Sequence, residues 1–336
     1  NLATAAHRVG KFGGPRVGRD PRLPQLATLC RRRVQSFEAM AMANTVWGFA
    51  KTTFTDQQLF DVIAAEALRR LGEFDSQNMA NTAWAFAKAE VDVPELFDAI
   101  AAEAPSRMSE FGPQAISNTA WAFATAEIAA PRVFEAIASV AVSRIDEFKS
   151  QDMANTAWAL AKADVSAPRL FTAIASTASR RIGEFNHQEL ANMAWAFARL
   201  DYASPQLFRA IAAETVSRIG EFNPQGMANV AWAFAKAGFV APKLYTVIAS
   251  AASTRLGEFK PQELTNMAWA FAEVDMAAPH LFRAIASEAL PRLGEFNALE
   301  KTRIVQTFAS AKKRQQRQQA SAQCDEKAVK SPPPAD

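Results

Sequence analysis

Seven asparagines recur along the sequence at intervals of 37 residues, and each lies three residues before a tryptophan. An amide side chain both donates and accepts hydrogen bonds, so a regular row of amides can pair with the edges of unpaired bases. These asparagines are Asn44, Asn81, Asn118, Asn155, Asn192, Asn229 and Asn266. A glutamine precedes six of them by four residues, at Gln77, Gln114, Gln151, Gln188, Gln225 and Gln262. The pattern predicts a binding face.

A basic residue follows five of the seven asparagines by seven residues, whereas Thr125 and Glu273 occupy the other two positions. The basic residues are Lys51, Lys88, Lys162, Arg199 and Lys236. Cations beside a row of amides favour single-stranded RNA, because they can hold phosphates while the amides meet the bases. The residue three before each asparagine varies, and we expect it to discriminate between bases. These variable residues are Ala41, Asn78, Ala115, Asp152, Glu189, Gly226 and Glu263.

Each of these periodic residues also has a structural interpretation. The asparagines could bond to the backbone or to one another between repeats, and the glutamines could cap helices. The tryptophans are expected mainly to pack between repeats. An arginine that recurs three residues before a glutamate, as in Arg107 and Glu110, is expected to form an ion pair and to bond terminal carbonyls. The alternative for this arginine is a phosphate contact.

The sequence contains no set of residues that predicts catalysis. Its three histidines, His7, His187 and His280, share no position in the repeat and are expected to be single solvated residues. The only two cysteines, Cys30 and Cys324, lie far apart. No paired carboxylates recur beside a base, and no glycine-rich phosphate loop is present. We therefore predict that the protein is not an enzyme and uses no cofactor, no metal and no small-molecule substrate.

The 37-residue period predicts an all-α protein, a right-handed α-solenoid of seven two-helix repeats. Each first half is rich in good helix formers, and a proline opens the second helix in six repeats. Glycines such as Gly220 are expected to end the second helices, and Pro105 and Pro291 to disturb theirs. The repeats are 37–73, 74–110, 111–147, 148–184, 185–221, 222–258 and 259–295.

Half-repeats at residues 23–36 and 299–311 are expected to cap the array, which spans 21–311. The basic segment 1–20 and the polar tail 312–336 are both expected to be disordered.

Around the first helix, Met79 and Phe86 of the second repeat lie on the predicted core side. Gln77, Asn81, Ala85 and Lys88 lie on the opposite side, where the small Ala85 is expected to let a ligand approach the backbone.

The phrase PQELTNMAWAFA at 261–272, followed by LFRAIA at 281–286, resembles the heptatricopeptide repeats and the related octotricopeptide repeats. This resemblance covers about three quarters of the chain. It implies an α-solenoid that binds organellar RNA, in mitochondrion or chloroplast, and acts in RNA stability, processing, translation or ribosome assembly. The organellar ribosome and other RNA-processing proteins are then the expected partners. The nuclease-like activity of the RAP domain that often accompanies these repeats is not carried over, since no RAP-like segment follows Phe308.

Two other functions fit the same residues. Armadillo-like scaffolds use asparagine and tryptophan ladders to hold extended peptides, and a structural subunit of an organellar ribonucleoprotein would contact both RNA and protein. The charge distribution bears on this choice, because the seven repeats carry 21 Lys+Arg against 29 Asp+Glu, while the net charge of +3 comes from the basic ends. An acidic array weakens a purely electrostatic case for RNA. The longest uncharged stretch, 111–126, is too short and polar to predict a membrane partner.

Overall fold

The computed structural model describes residues 2–13, 17–52, 54–202, 204–274, 276, 278–311 and 313, and its regular elements there are all helices. They are α1 (Leu2–Phe12), α2 (Leu23–Arg33), α3 (Ala39–Thr52), α4 (Gln57–Arg69), α5 (Ser76–Ala89), α6 (Pro94–Glu103), α7 (Pro113–Thr125), α8 (Pro131–Arg144), α9 (Ser150–Lys162), α10 (Pro168–Arg180), α11 (His187–Arg199), α12 (Pro205–Ser217), α13 (Pro224–Lys236), α14 (Pro242–Ser253), α15 (Pro261–Glu273), α16 (Pro279–Ala289) and α17 (298–311). Apart from a short turn at Val17–Arg19, a 3₁₀ turn follows each even-numbered helix.

The helices form an α-solenoid of two-helix repeats, as the 37-residue period predicts. The chain divides into two units, Asn1–Glu184 and Phe185–Asp336, and the division falls between two repeats. In the first unit α1, α3, α5, α7 and α9 pack side by side, and α2, α4, α6, α8 and α10 form the adjoining row. In the second unit α11, α13 and α15 pack in the same way beside α12, α14 and α16.

The core lies between the two rows of helices and is built largely from phenylalanines. The predicted core side of the first helix is confirmed, because Met79 and Phe86 are completely buried. Phe60 of α4 meets Phe86 of α5 edge to face, with ring centroids 5.2 Å apart. Phe97 and Phe123 form the same contact one repeat later. Within each unit, the second helices therefore pack against the first helices of the following repeats, which makes folding cooperative between neighbours.

The second helices end earlier than the sequence suggested. α12 ends at Ser217, and Gly220 lies in the following 3₁₀ turn, Ile219–Glu221, rather than at the helix end. The disturbance expected from Pro105 is confirmed, since α6 stops at Glu103 and the residues Ala104–Glu110 form a long 3₁₀ turn. A proline in that position removes a helical donor and clashes with the preceding turn.

The N-terminal segment differs from the prediction of disorder. Residues 2–12 form α1, which packs on both α2 and α3, so α1 and α2 are a complete hairpin rather than a half-repeat. Ala3, Ala6 and Gly10 recur at helical spacing along α1, and α1 packs closely on Gly48 of α3 at Ala6 and Gly10. The prediction of disorder rested on the charge and glycine content of the segment, which does not reveal this spacing. At the other end, the predicted tail 312–336 lies outside the described residues except for Lys313.

Replacing Gly48 by alanine is expected to release α1 from α3. The later repeats carry alanine at this position, but a Cβ on Gly48 would overlap the carbonyl oxygen of Ala6. Faster amide hydrogen exchange confined to α1 is the measurable result. Gly72→Ala is the matched control, because no atom lies within 4 Å of a Cβ built there. Unchanged exchange in α1 of the Gly48 variant would contradict this packing.

Candidate functional site

The seven asparagines lie one per repeat on the first helices, and all seven side chains are partly exposed. In each helix the asparagine, the tryptophan three residues later and the residue seven later share one side, which we call the amide face. Among the described residues, only Asn81 has a side-chain hydrogen bond, accepting from Gln77 Nε2 at 2.8 Å. The bonding between repeats considered for the asparagines is therefore absent from this part of the chain. Six amides of the row are left to meet water or a ligand.

The glutamines do not cap their helices in the described residues. Gln77 is partly buried against Asn81, whereas the other five side chains are exposed. In several repeats the side chain of the residue just before the first helix forms a cap instead. Asp75 Oδ1 accepts from Asn78 N at 2.7 Å, and Asn223 Oδ1 from Gly226 N at 2.7 Å. The five exposed glutamines remain available on the amide face.

Amides from successive repeats line one polar groove in the first unit. Its volume is about 280 Å³, and Gln114 and Asn118 of α7 face Gln151 and Asn155 of α9 across it. Its remaining lining residues are Pro113, Ser117, Glu147, Lys149 and Asp152. Two repeats thus present four amide groups to a single space, which suits an extended chain with hydrogen-bonding groups along it.

Three of the variable residues that precede the asparagines by three are not available to discriminate between bases. Asn78, Asp152 and Glu189 are each at least nine-tenths buried. Glu189 Oε2 accepts from Asn186 N at 3.0 Å and thereby closes the start of α11, while Asp152 Oδ2 accepts from Lys149 N at 3.2 Å. The side chains of Asp152 and Glu189 cap the first turn of their helices, so the prediction that these buried positions read bases is wrong.

The tryptophans form a ladder along the amide face of each unit. In the first unit the ring centroids are 6.3 Å apart between Trp47 and Trp84, 5.9 Å between Trp84 and Trp121, and 6.5 Å between Trp121 and Trp158. In the second unit Trp232 lies 6.4 Å from Trp195 and 6.2 Å from Trp269. The predicted packing between repeats is confirmed. All seven rings are also partly exposed, so within each unit they form an aromatic surface beside the amides.

The small residue in the middle of the amide face serves helix packing. Ala85 and its equivalents Ala122, Ala159, Ala196, Ala233 and Ala270 are completely buried. The prediction that this position lets a ligand approach the backbone is therefore wrong. Successive first helices approach each other closely there, and a larger side chain would force them apart.

The basic residues that follow the tryptophans differ in their contacts. Lys162 Nζ lies 2.6 Å from Glu127 Oε1, and Lys236 Nζ lies 2.9 Å from Asp201 Oδ1. Lys51 Nζ lies 5.9 Å from the ring centroids of both Trp47 and Trp84, within range of a cation–π contact. Lys88 and Arg199 are exposed. The structure thus places all five cations beside the amide face.

The arginine near the end of each second helix has a structural role, and the predicted ion pair with glutamate is confirmed. Arg144 Nη1 donates to the carbonyl oxygen of Phe111 at 2.8 Å, and its Nη2 lies 2.8 Å from Glu147 Oε2. The carbonyl belongs to the residue that opens the same repeat, so the arginine joins the two ends of the repeat. The same carbonyl contact recurs at Arg70, Arg181, Arg218, Arg255 and Arg292.

These ion pairs predict a loss of stability in acid. The hydrogen bond from Arg144 holds the pKa of Glu147 below its ordinary value, and the equivalent arginines do the same for Glu73, Glu184, Glu221 and Glu258. A lowered carboxyl pKa contributes stability that is fully present above the unfolded value of about 4.3 and is lost as pH falls through the folded value. We expect Glu147→Gln to lower the melting temperature at pH 7 but not at pH 3. An equal effect at both pH values would contradict the pairing.

The sequence interpretation of His7 as a single solvated residue is wrong. Its ring stacks on Trp47 with centroids 5.0 Å apart, which extends the aromatic ladder onto α1. Lys11 follows His7 by four residues, just as Lys51 follows Trp47. The recurrence of an aromatic ring and a lysine at this spacing is the signal that could have placed α1 in the array.

A second groove, of about 520 Å³, lies on the amide face of the second unit. Trp232 and Lys236 of α13, Asn266 and Trp269 of α15, and Arg303 of α17 line it, among other residues. Arg303 and Gln306 of α17 occupy the positions that asparagine and tryptophan hold in the full repeats, and both line the groove. The amide face therefore continues onto α17.

Within the described ranges, no three His, Cys, Asp or Glu side chains come together in a way that could hold a metal ion. Nor is any helix in this part of the chain both long and apolar enough to cross a membrane. Cys30 is buried, and burial raises the pKa of its thiol to about 11, so the thiol stays protonated at neutral pH.

One family model matches residues 17–202 and 207–324 of the chain, and its description is RNA-editing substrate-binding complex 6 protein. The match covers most of the repeats and both grooves. No curated protein matches the chain significantly. The family named by this match is not the heptatricopeptide or octotricopeptide class, so the resemblance to those repeats stays a prediction.

Proposed function

Because the chain belongs to the RNA-editing substrate-binding complex 6 protein family, we propose that it is a non-catalytic protein that binds single-stranded RNA on its amide face. The observation that carries this proposal is the row of partly exposed asparagine amides, six of them without a hydrogen bond in the described residues. Unpaired amides beside aromatic rings suit unstacked bases, whose edges need hydrogen-bond partners and whose faces need stacking partners.

The number of repeats sets the length of RNA that the face accommodates. If each repeat addresses one base, as in other helical repeats that read RNA, seven repeats cover about seven nucleotides. The repeats carry more acidic residues than basic residues. The free energy of RNA binding therefore comes more from hydrogen bonds and stacking than from net charge. Phosphate contacts then fall to individual cations on the amide face.

We further propose that the protein acts in an organelle, mitochondrion or chloroplast, within an RNA–protein assembly. RNA stability, processing, editing, translation and ribosome assembly are the activities in which such a subunit would serve. The support for a complex is the family description, and the support for an organelle is the resemblance to heptatricopeptide repeats. Crosslinking of the native protein, followed by identification of the recovered RNA and proteins, tests both statements. Recovery of nuclear or cytosolic transcripts alone would contradict the organellar location.

Fluorescence anisotropy with single-stranded RNAs of mixed and selected sequence tests the binding function directly. We expect affinity in the micromolar range or tighter that falls as salt is raised, because phosphate contacts release counterions. Double-stranded RNA of the same sequence should bind more weakly, since its base edges are already paired. Millimolar affinity without salt dependence would reject the proposal.

A protein-binding scaffold is the second candidate, and the excess of acids in the repeats favours it. A ladder of asparagine amides can hold an extended peptide backbone as well as a row of bases. Co-purification of the native protein after nuclease treatment separates the two functions. The scaffold would be favoured if partner proteins are recovered without RNA and an Asn118→Ala variant no longer recovers them.

A further inference from the structure

The lysines beside the tryptophan ladder fall into two groups. Lys162 and Lys236 are paired with Glu127 and Asp201, at 2.6 and 2.9 Å. By contrast, no carboxylate among the described residues lies within ion-pair distance of Lys51 or Lys88. The amide face is therefore electrostatically uneven, although the sequence places a similar cation in each of these repeats.

The difference arises from one position just after each first helix. Glu90, Glu127, Asp164 and Asp201 occupy this position with φ between 54° and 56°, and Gly238 with φ of 62°. This left-handed backbone ends the helix, and from it Glu127 and Asp201 reach the lysine of the next repeat. The first repeat has Thr53 at this position of its sequence, so Lys88 receives no acid from the repeat before it.

The helices α1, α3 and α5 carry the same pattern of two residues. Each has an aromatic ring followed four residues later by an exposed lysine: His7 and Lys11 in α1, Trp47 and Lys51 in α3, and Trp84 and Lys88 in α5. His7 stacks on Trp47, Trp47 contacts Trp84, and Lys51 lies near both tryptophan rings. We call these six residues the basic aromatic patch.

We propose that the phosphates of a single-stranded RNA are held at the basic aromatic patch, and that the paired Lys162 and Lys236 contribute little to RNA binding. This inference rests on the proposed function. It assigns the electrostatic contribution to RNA binding to the N-terminal end of the array. A lysine without a carboxylate partner meets a phosphate without first breaking an ion pair, whereas Lys162 and Lys236 must break theirs. The adjoining rings offer π-faces to the bases of the same nucleotides, as in other single-strand grooves.

Two charge-matched double variants test the proposal on the full chain. Lys51→Gln with Lys88→Gln removes two patch cations, and Lys162→Gln with Lys236→Gln removes the two paired ones. Binding of a labelled ten-nucleotide single-stranded RNA of mixed sequence is measured over a series of salt concentrations. The first variant should bind roughly 10-fold more weakly, and its salt slope should fall by about 1.4, the value for two lost single-strand phosphate contacts. The second should stay within about 2-fold of the wild type.

All four lysines are exposed, so both variants should keep the wild-type melting temperature within a few degrees. Equal losses in the two variants, or a larger loss in the second, would overturn the patch while leaving RNA binding in place. A wild-type protein without affinity for single-stranded RNA would overturn the proposed function as well. The assignment to phosphates would also be overturned if an acidic peptide bound more tightly than RNA and the first variant lost this peptide binding.

Discussion

Joint replacement of Asn118 and Asn155 by alanine is expected to weaken binding of single-stranded RNA by about 30-fold. Each amide hydrogen bond contributes about 1 kcal/mol, and two lost bonds therefore correspond to about 2 kcal/mol. Both side chains line the groove between α7 and α9 and make no hydrogen bond within the described chain. Fluorescence anisotropy with a labelled RNA measures the loss.

The same double variant should keep its free energy of unfolding within about 0.5 kcal/mol of the wild type, because partly exposed amides without partners add little to stability. Gln206→Ala is the matched control for binding, since this exposed amide lies on α12 in the other row of helices. A double variant that binds RNA normally would reject the amide face as the RNA site. A large fall in stability would instead assign the asparagines a structural role.

Replacement of Arg144 by methionine is expected to lower the free energy of unfolding by about 2 kcal/mol, the loss typical of a hydrogen bond from a charged donor. Methionine keeps much of the apolar stem, so the loss reports on the guanidinium. Without it, the Phe111 carbonyl loses its donor at 2.8 Å and Glu147 loses its ion pair. Urea denaturation measures the change.

Arg132→Met is the matched control, because Arg132 is an exposed residue in the first turn of the same helix, α8. Its stability should change by less than about 0.5 kcal/mol. RNA affinity of the Arg144 variant should equal that of the wild type under conditions where both are folded. Wild-type stability together with weakened RNA binding would favour the alternative, in which this arginine contacts phosphate.

The sequence was sufficient to predict the repeat architecture and its core. The 37-residue interval, the proline that opens the second helix in six repeats and the spacing of Met79 and Phe86 all reflect local geometry, which the chain expresses within one hairpin. The Arg–Glu pairs were predictable for the same reason, since three residues along a chain bring two side chains together. The helix bounds were predicted less accurately, because 3₁₀ turns follow the second helices and shorten them.

The candidate site was predicted only in part. The asparagines and lysines do share one side of the first helices, as a helical wheel shows. The wheel could not reveal that Ala85 is buried against a neighbouring helix, or that Asp152 and Glu189 cap helix starts. The burial of Ala85 depends on how closely successive first helices approach, which a single repeat does not determine. The caps are local contacts over three residues, which a helical wheel does not represent.

By itself, the sequence determined the type and order of the helices, the side of each that is buried, and the row of amides, because these follow from residue type and spacing within one repeat. Only the tertiary structure decided which of those side chains are available. Lys162 and Lys236 are paired with acids of the preceding repeat, while Lys51 and Lys88 are not. The docking of α1 through Gly48 likewise joins His7 to Trp47. The physical reason is that each contact joins residues 35 or more positions apart, so it exists only after neighbouring hairpins have packed.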